Sequence, residues 1–282
     1  MNLLLDPQIQ IIFLAVVTSH LIGDFVLQSD DLVRAKRGNL RIALRYHALH
    51  GLIHGLVAWV LLGFWLNDWP LPVIVAFSHA AIDIAKEAVL KCLPTRDEND
   101  RILVRWKLTV GLAGDQVLHL GVLLVAVYVL AAASLLPAES CWSGLLGQHY
   151  RPIFVPTLVF ISASVFTIFV GGVVIAIVTE PIVQEIRQCQ TAENELPSKR
   201  RGLAKGGRYI GQLERTLILL FILSGQPAGV GFLVTAKSVF RFGDLKDHED
   251  RMEAEYIIIG TMLSFAWGLA FAWLTQYALQ KI

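Results

Sequence analysis

The chain has 282 residues, of which 55% are hydrophobic and only 17% are charged, and its formal net charge is +1. Soluble domains usually contain about 25% charged residues, so the composition excludes an ordinary soluble protein, and we expect no nucleic-acid partner. Several apolar runs approach the roughly 20 residues that cross a bilayer. We therefore predict an all-α fold, a polytopic transmembrane helical bundle.

The apolar runs divide the chain into about eight membrane segments. The first run follows no basic region and precedes no small-residue cleavage site, so we interpret it as a retained helix rather than a signal peptide. The seventh is short enough to re-enter the membrane rather than span it. The predicted segments are 8–28, 40–65, 71–93, 108–136, a helix from about 152 that Pro181 would kink or interrupt, 209–224, 228–240 and 256–279.

Basic residues predict the orientation and the division of the chain. Lys and Arg crowd four alternate loops, with five between Arg34 and Arg45, whereas the other loops hold only Arg151 and Lys281. The positive-inside rule places the basic loops in the cytoplasm and both termini outside it.

We predict a four-helix bundle at residues 1–136 and a C-terminal region at 137–282, with a cytoplasmic loop at 186–208. Three scattered cysteines argue against a disulfide framework.

Stripes of metal-ligand side chains interrupt the first four apolar segments. In HAAIDIAKE, the residues His79, Asp83 and Glu87 are spaced i, i+4 and i+8, which places them on one face of a helix. The helical rise puts all four stripes at a similar depth, in the cytoplasmic half of the bilayer, so we predict that they form one site. The other stripes are His20, Asp24 and Gln28; His47, His50 and His54; and Asp115, Gln116 and His119.

Imidazole and carboxylate groups are the usual ligands of zinc, iron and manganese. We expect a divalent metal, zinc first and iron or manganese otherwise, with one or two ions, since seven candidates exceed one tetrahedral shell. Asp24 or Asp83 would be the general base of a catalytic site. The candidate ligands are His20, Asp24, His50, His79, Asp83, Asp115 and His119. Residues expected to orient them are Gln28, His47, His54, Glu87 and Gln116.

Other roles for these polar groups stay open. A single intramembrane His or Asp often only hydrogen-bonds a neighbouring helix, and a chain of such groups can also relay protons. Four basic residues border the proposed mouth and are candidates for binding an anionic headgroup, although anionic-lipid attraction explains them equally well. They are Arg34, Lys36, Arg37 and Arg45. In the C-terminal half, we expect Glu214 and Arg215 to be interfacial charges and Lys237 to extend to the interface.

The motifs HLIGDFVLQSDDLVRAKR, HALHGLIH, SHAAIDIAKE and DQVLH resemble the bacterial membrane family of domain of unknown function 3307. The second half resembles longer members through GRYIGQLERTLILL, GFLVTAKSVFRFGDLKD and AEYIIIGTMLS. The resemblance implies an inner-membrane location and supplies no activity. The first half is also loosely similar to inner-membrane metal-dependent hydrolases, which is a likeness of fold alone.

These patterns lead to three hypotheses. The leading one is an intramembrane metal site that hydrolyses a lipid or a lipid-linked substrate from the cytoplasmic leaflet. The alternatives are a transporter of a divalent cation or a proton-coupled solute, and a scaffold or signalling protein whose polar cluster only stabilises the bundle.

Overall fold

The computed structural model describes residues 6–36, 38–63, 69–92, 101–136, 141–192, 205–242 and 251–282. Almost all of these residues are helical, and none of them forms a β-strand. The predicted all-α fold is confirmed.

Local sequence signals set the ends of the N-terminal helices. Asp6 caps α1 (Pro7–Phe25) by accepting a hydrogen bond from the Gln8 amide at 2.8 Å, and Pro7 supplies a favourable first helical residue. Asn39 caps α3 (Leu40–Leu62) in the same way, and Gly63 ends that helix in the left-handed conformation at φ 106°. The other helices of this part are α2 (Asp30–Lys36), α4 (Pro70–Cys92) and α5 (Arg101–Ala132).

Four of these helices form a closed bundle. Helix α1 packs against α3 and α5, and α4 packs against the same two helices, while the short α2 packs on α3. The four helices alternate in direction. One half of the bundle is apolar, and the other half carries the polar stripes. The apolar core comprises Ile12, Ala15, Val16, Ala58, Leu62, Leu71, Val75, Leu123, Val127, Leu130 and Leu158.

The next helical run is continuous from Cys141 to Ala192. Pro181 lies inside α8 without ending it, so the helix passes the residue that the sequence suggested as a break. The change from regular α-helical structure comes earlier, in a five-residue π-helical segment, Phe166–Val170. The run consists of α6 (Cys141–Leu146), a 3₁₀ turn at Gly147–His149, α7 (Tyr150–Val165), the π-helical segment and α8 (Gly171–Ala192).

The chain divides into two compact units, Met1–Ser162 with Ile282, and Ala163–Lys281. The N-terminal unit therefore extends past the boundary expected at residue 136, because the first part of α7 belongs to it. Leu158 lies in the apolar core of this unit, and the hydroxyls of Thr18 and Ser162 are 2.7 Å apart.

The second unit contains α8, α9 (Gly206–Leu223), α10 (Ala228–Phe242) and α11 (Arg251–Lys281). The expectation that Glu214 and Arg215 are interfacial charges is wrong, because both are buried. Arg215 donates from Nε (3.0 Å) and Nη2 (2.7 Å) to the Ile168 carbonyl in the π-helical segment, and Glu214 pairs with Lys237. The guanidinium thus satisfies a backbone carbonyl where the regular helical hydrogen bonds are interrupted.

Four stretches of the described residues are long and apolar enough to cross a membrane. Their exposed side chains include large apolar ones such as Val117, Phe160 and Trp273, as expected for contact with lipid. Both observations are consistent with a membrane protein, whereas the count of eight segments stays a prediction. The four stretches are Pro7–Phe25, Ala113–Ala132, Cys141–Ile186 and Ala254–Lys281.

Candidate metal centre

The polar half of the N-terminal bundle is a single cluster of polar side chains, which we call the polar cluster. It contains all seven candidate ligands, and its six histidines are each exposed by 3% or less. The stripes predicted on four separate helices therefore meet in space. The members are His20 and Asp24 of α1; Lys36 of α2; His47, His50 and His54 of α3; His79, Asp83 and Lys86 of α4; and Asp115, Gln116 and His119 of α5.

The carboxylate of Asp24 is the centre of this cluster. Its Oδ1 lies 3.1 Å from Nε2 of His50 and 3.3 Å from Nε2 of both His54 and His79. Its Oδ2 lies 3.6 Å from Nε2 of His20. Four imidazoles from three helices thus surround one carboxylate whose side chain is 10% exposed.

The amide of Gln116 completes the shell around Asp24. Its Nε2 donates to Asp24 Oδ2 at 2.9 Å, and its Oε1 lies 3.1 Å from His20 Nε2. Because an amide oxygen only accepts, His20 Nε2 carries the proton in this hydrogen bond. Gln116 therefore contacts a carboxylate and an imidazole at the same time.

The imidazole rings pack against one another and leave several nitrogen atoms without a hydrogen bond. The rings of His54 and His79 stack with centroids 3.6 Å apart, and those of His79 and His119 are 4.1 Å apart. Buried polar atoms are nearly always hydrogen-bonded, so unsatisfied nitrogens at this density are typical of a ligand-binding site. The unsatisfied imidazole atoms are His20 Nδ1, His47 Nδ1, His50 Nδ1, His54 Nδ1 and Nε2, His79 Nε2 and His119 Nε2.

These residues have the chemistry and spacing of a metal site. Three groups place one ligand atom from each member within 4.8 Å of the others. The first group combines three imidazoles with one carboxylate, a set of ligands that could hold a metal ion. The groups are His20, Asp24, His54 and His79; His50, His79 and Asp83; and Asp83, Asp115 and His119.

Two lysines, the buried Lys36 and the half-buried Lys86, accompany the other carboxylates. Lys86 Nζ donates to Asp83 Oδ1 at 2.9 Å and to Asp115 Oδ2 at 3.1 Å. Lys36 forms an ion pair with Asp83 Oδ2. Burial lowers the pKa of the Lys36 amine, and the neighbouring Asp83 carboxylate opposes this shift. Asp83 is thus bound to two ammonium groups, unlike Asp24.

Glycines allow the helices to approach closely enough to form the cluster. A Cβ atom on Gly23 would overlap the imidazole ring of His54, so glycine is required for this ring to lie against α1. Gly51 in α3 faces the Ala76 carbonyl and the Ala80 side chain of α4, and a Cβ there would collide with that carbonyl. Small residues of this kind permit close helix packing in membranes.

The remaining residues predicted to belong to the site lie at its border. The Gln28 amide, in the orientation that satisfies both of its groups, accepts from Lys36 Nζ at 2.9 Å and donates to the Asp24 carbonyl at 3.3 Å. Glu87 is half-buried, and His54, expected to orient ligands, instead belongs to the first metal group.

The expected headgroup-binding residues do not share one environment. Arg34 and Arg45 are exposed, as that role requires, and Arg34 pairs with Asp31. Lys36 is buried and pairs with Asp83, so a headgroup-binding role does not fit it. Arg37 lies outside the described residues.

Sequence reasoning missed Lys86 and the true position of Lys36. The positive-inside rule treats both only as basic residues that report membrane topology. The spacing of Asp83 and Lys86, three residues apart on a helix, was the available signal for an intrahelical pair. The additional bond from Lys86 to Asp115 depends on the facing helix and has no local sequence signal.

The comparisons with known proteins bear on this part of the chain. Residues 12–143 match a family model described as "Protein of unknown function (DUF3307)". This part of the chain is therefore similar to the DUF3307 family. The matched range contains every member of the polar cluster, while the family description names no activity. No curated protein and no solved structure matches the chain. The likeness of the DUF3307 region to hydrolases stays a prediction.

Proposed function

We propose that this protein is a membrane-embedded, metal-dependent hydrolase whose bundle binds a divalent ion, zinc first, through His20, Asp24, His54 and His79. The observation that carries the proposal is the convergence of imidazole nitrogens from three helices on one carboxylate, with several of these nitrogens unsatisfied. One cation could satisfy several such atoms together, whereas a purely structural bundle would gain nothing from burying them.

A divalent ion held by these residues would supply Lewis acidity and would lower the pKa of a bound water. The two carboxylates expected to act as bases are poorly placed for that role. Asp24 is surrounded by four imidazoles, and Asp83 is held by Lys36 and Lys86.

His119 is better placed to accept a proton. Its Nδ1 lies 2.8 Å from the Asp115 carbonyl oxygen. A carbonyl only accepts, so Nδ1 carries the proton of that hydrogen bond and Nε2 is the basic nitrogen. His119 Nε2 is buried without a hydrogen bond, and its ring lies next to that of His79.

The apolar half of the bundle favours hydrolysis over transport. Beyond the polar cluster, the bundle has an apolar core that includes Val16, Leu62, Val75 and Val127. An ion or proton crossing the bundle would have to pass through this packed core, where an unpaired charge is costly. A transporter remains the alternative, and a scaffold stabilised by the cluster is the third candidate.

The surroundings favour a lipid or lipid-linked substrate. The helices that carry the cluster expose apolar side chains such as Leu52, Leu56 and Phe77 to their outside. Arg34 and Arg45 are exposed cations that suit an anionic headgroup. We propose a bacterial inner-membrane location with both termini outside the cytoplasm, on the basis of the basic loops.

Metal content tests the proposal directly. We expect the purified wild-type protein to contain a stoichiometric divalent metal, measured by inductively coupled plasma mass spectrometry. The variant His79→Ala should lose it, because the ring belongs to the first metal group. The matched control is His149→Ala, since His149 is exposed and outside the cluster, and it should keep the metal. Absence of metal in the wild type, or equal content in both variants, contradicts the proposal.

Hydrolysis tests the role of His119. In mixed micelles, we expect metal-dependent cleavage of p-nitrophenyl butyrate or bis(p-nitrophenyl) phosphate. His119→Gln should retain metal and lose about 100-fold in kcat, the range of a general base. His149→Gln serves as the control. A metal-loaded wild type that cleaves neither probe would argue against hydrolysis, and full activity in His119→Gln would remove this residue from the mechanism.

A further inference from the structure

We infer that the polar cluster binds one divalent ion, and that the ammonium groups of Lys36 and Lys86 occupy the positions a second ion would take. The inference rests on the proposed metal site and defines its stoichiometry. It also assigns the two lysines a function as built-in cations.

The second metal position is already filled by Lys86. Asp83, Asp115 and His119 have the spacing of a metal site. Carboxylates from two facing helices bridge two metal ions in many helical bundles. Here Lys86 Nζ lies between the two carboxylates, 2.9 Å from Asp83 Oδ1 and 3.1 Å from Asp115 Oδ2. The ammonium thus bridges α4 and α5 as a divalent ion would.

Lys36 closes the other side of Asp83. It pairs with Oδ2, while Lys86 binds Oδ1, so each oxygen of this carboxylate faces a fixed positive charge. A metal ion approaching Asp83 through His50 or His79 would be repelled by both ammonium groups. The group that contains His50, His79 and Asp83 is therefore unfavourable for a cation.

Asp24 has different surroundings. Among the described residues, the side-chain contacts of its carboxylate are four imidazoles and the Gln116 amide. Imidazoles are metal ligands when neutral, and the amide orients the carboxylate. Among the three described carboxylates of the cluster, Asp24 is therefore the one that no ammonium group contacts.

The net charge of the polar cluster favours the binding of one divalent ion rather than two. With neutral imidazoles, three aspartates and two lysines leave one net negative charge in the polar cluster. One divalent ion changes this to one positive charge, and a second would give three. Because charge inside a helical bundle is costly, the single ion is favoured.

Metal stoichiometry tests the inference. The wild type, equilibrated with excess Co²⁺ and freed of unbound ion, should contain about one ion per chain, the number a single site of three imidazoles and a carboxylate holds. Its electron paramagnetic resonance spectrum should be that of an isolated ion. Lys86→Met frees two carboxylates, so it should bind about two ions with a spin-coupled spectrum, as closely spaced metals in two-metal sites give. Lys86→Arg keeps the charge and should bind one.

The control is Lys281→Met, which removes an exposed lysine and should leave one ion. Two ions in the wild type would overturn the inference of a single ion but would remain consistent with the proposed metal site. No bound metal would overturn both. If Lys86→Met folds and still binds one isolated ion, the lysine does not occupy a cation position. If that variant does not fold, the wild-type stoichiometry and spectrum still decide between one ion and two.

Discussion

Replacing Asp24 with asparagine should abolish metal binding. Asparagine keeps the size of the side chain but removes the negative charge that four imidazoles and Gln116 surround. Loss of a residue that only orients a ligand weakens metal binding by up to about 100-fold. Loss of the ligand itself should weaken metal binding by more than this. Competition with a chelator of known affinity measures the change.

Asp24→Asn should also destabilise the bundle without metal. The Gln116 amide and the His50 imidazole would lose their charged acceptor, and hydrogen bonds to charged groups contribute about 2 kcal/mol each. The control is Asp31→Asn, because Asp31 is exposed and pairs only with the exposed Arg34 among its described contacts. Thermal unfolding in detergent should separate the two variants. Unchanged metal affinity in Asp24→Asn would show that the ion binds elsewhere.

Gly23→Ala should distort the site, because the added methyl group needs space that the site does not have. A methyl group at this position would overlap the His54 ring, which is fully buried and cannot move freely. Inserting a methyl group into a packed interior costs about 1–3 kcal/mol. Displacement of His54 should also weaken metal binding, although no ligand atom is removed.

The matched control is Gly121→Ala. Gly121 lies in α5, and a Cβ atom there has open space around it. This variant should be neutral or more stable by up to about 1 kcal/mol, since alanine favours the helix over glycine. The double variant Gly23→Ala with His54→Ala should be less destabilised than the sum of its single changes. Additive effects would show that the conflict is not with His54.

The sequence predicted which polar side chains come together because helical spacing carries that information. His79 and Asp83 share a face of α4 by spacing alone, and equal depth in four segments correctly placed the stripes together. Likewise, Pro70 and Gly63 mark helix ends that a reader of the sequence can locate to within a few residues. These are properties of single segments.

What the sequence did not reveal depends on contacts between helices. A lysine near the end of a membrane helix can extend to water or turn inward, and the facing Asp115 decides this for Lys86. The same holds for Arg215, whose burial depends on the Ile168 carbonyl released by the π-helical segment. The sequence likewise does not indicate why residue 23 is a glycine, because this depends on the His54 ring that packs against it.

The position of Lys36 links the surface of the bundle to its interior. It is the last residue of α2, a helix of seven residues that packs on α3. If α2 detached, its ammonium would leave Asp83, and the interior would gain one uncompensated negative charge. The affinity of the cluster for cations therefore depends on whether this small outer helix is docked.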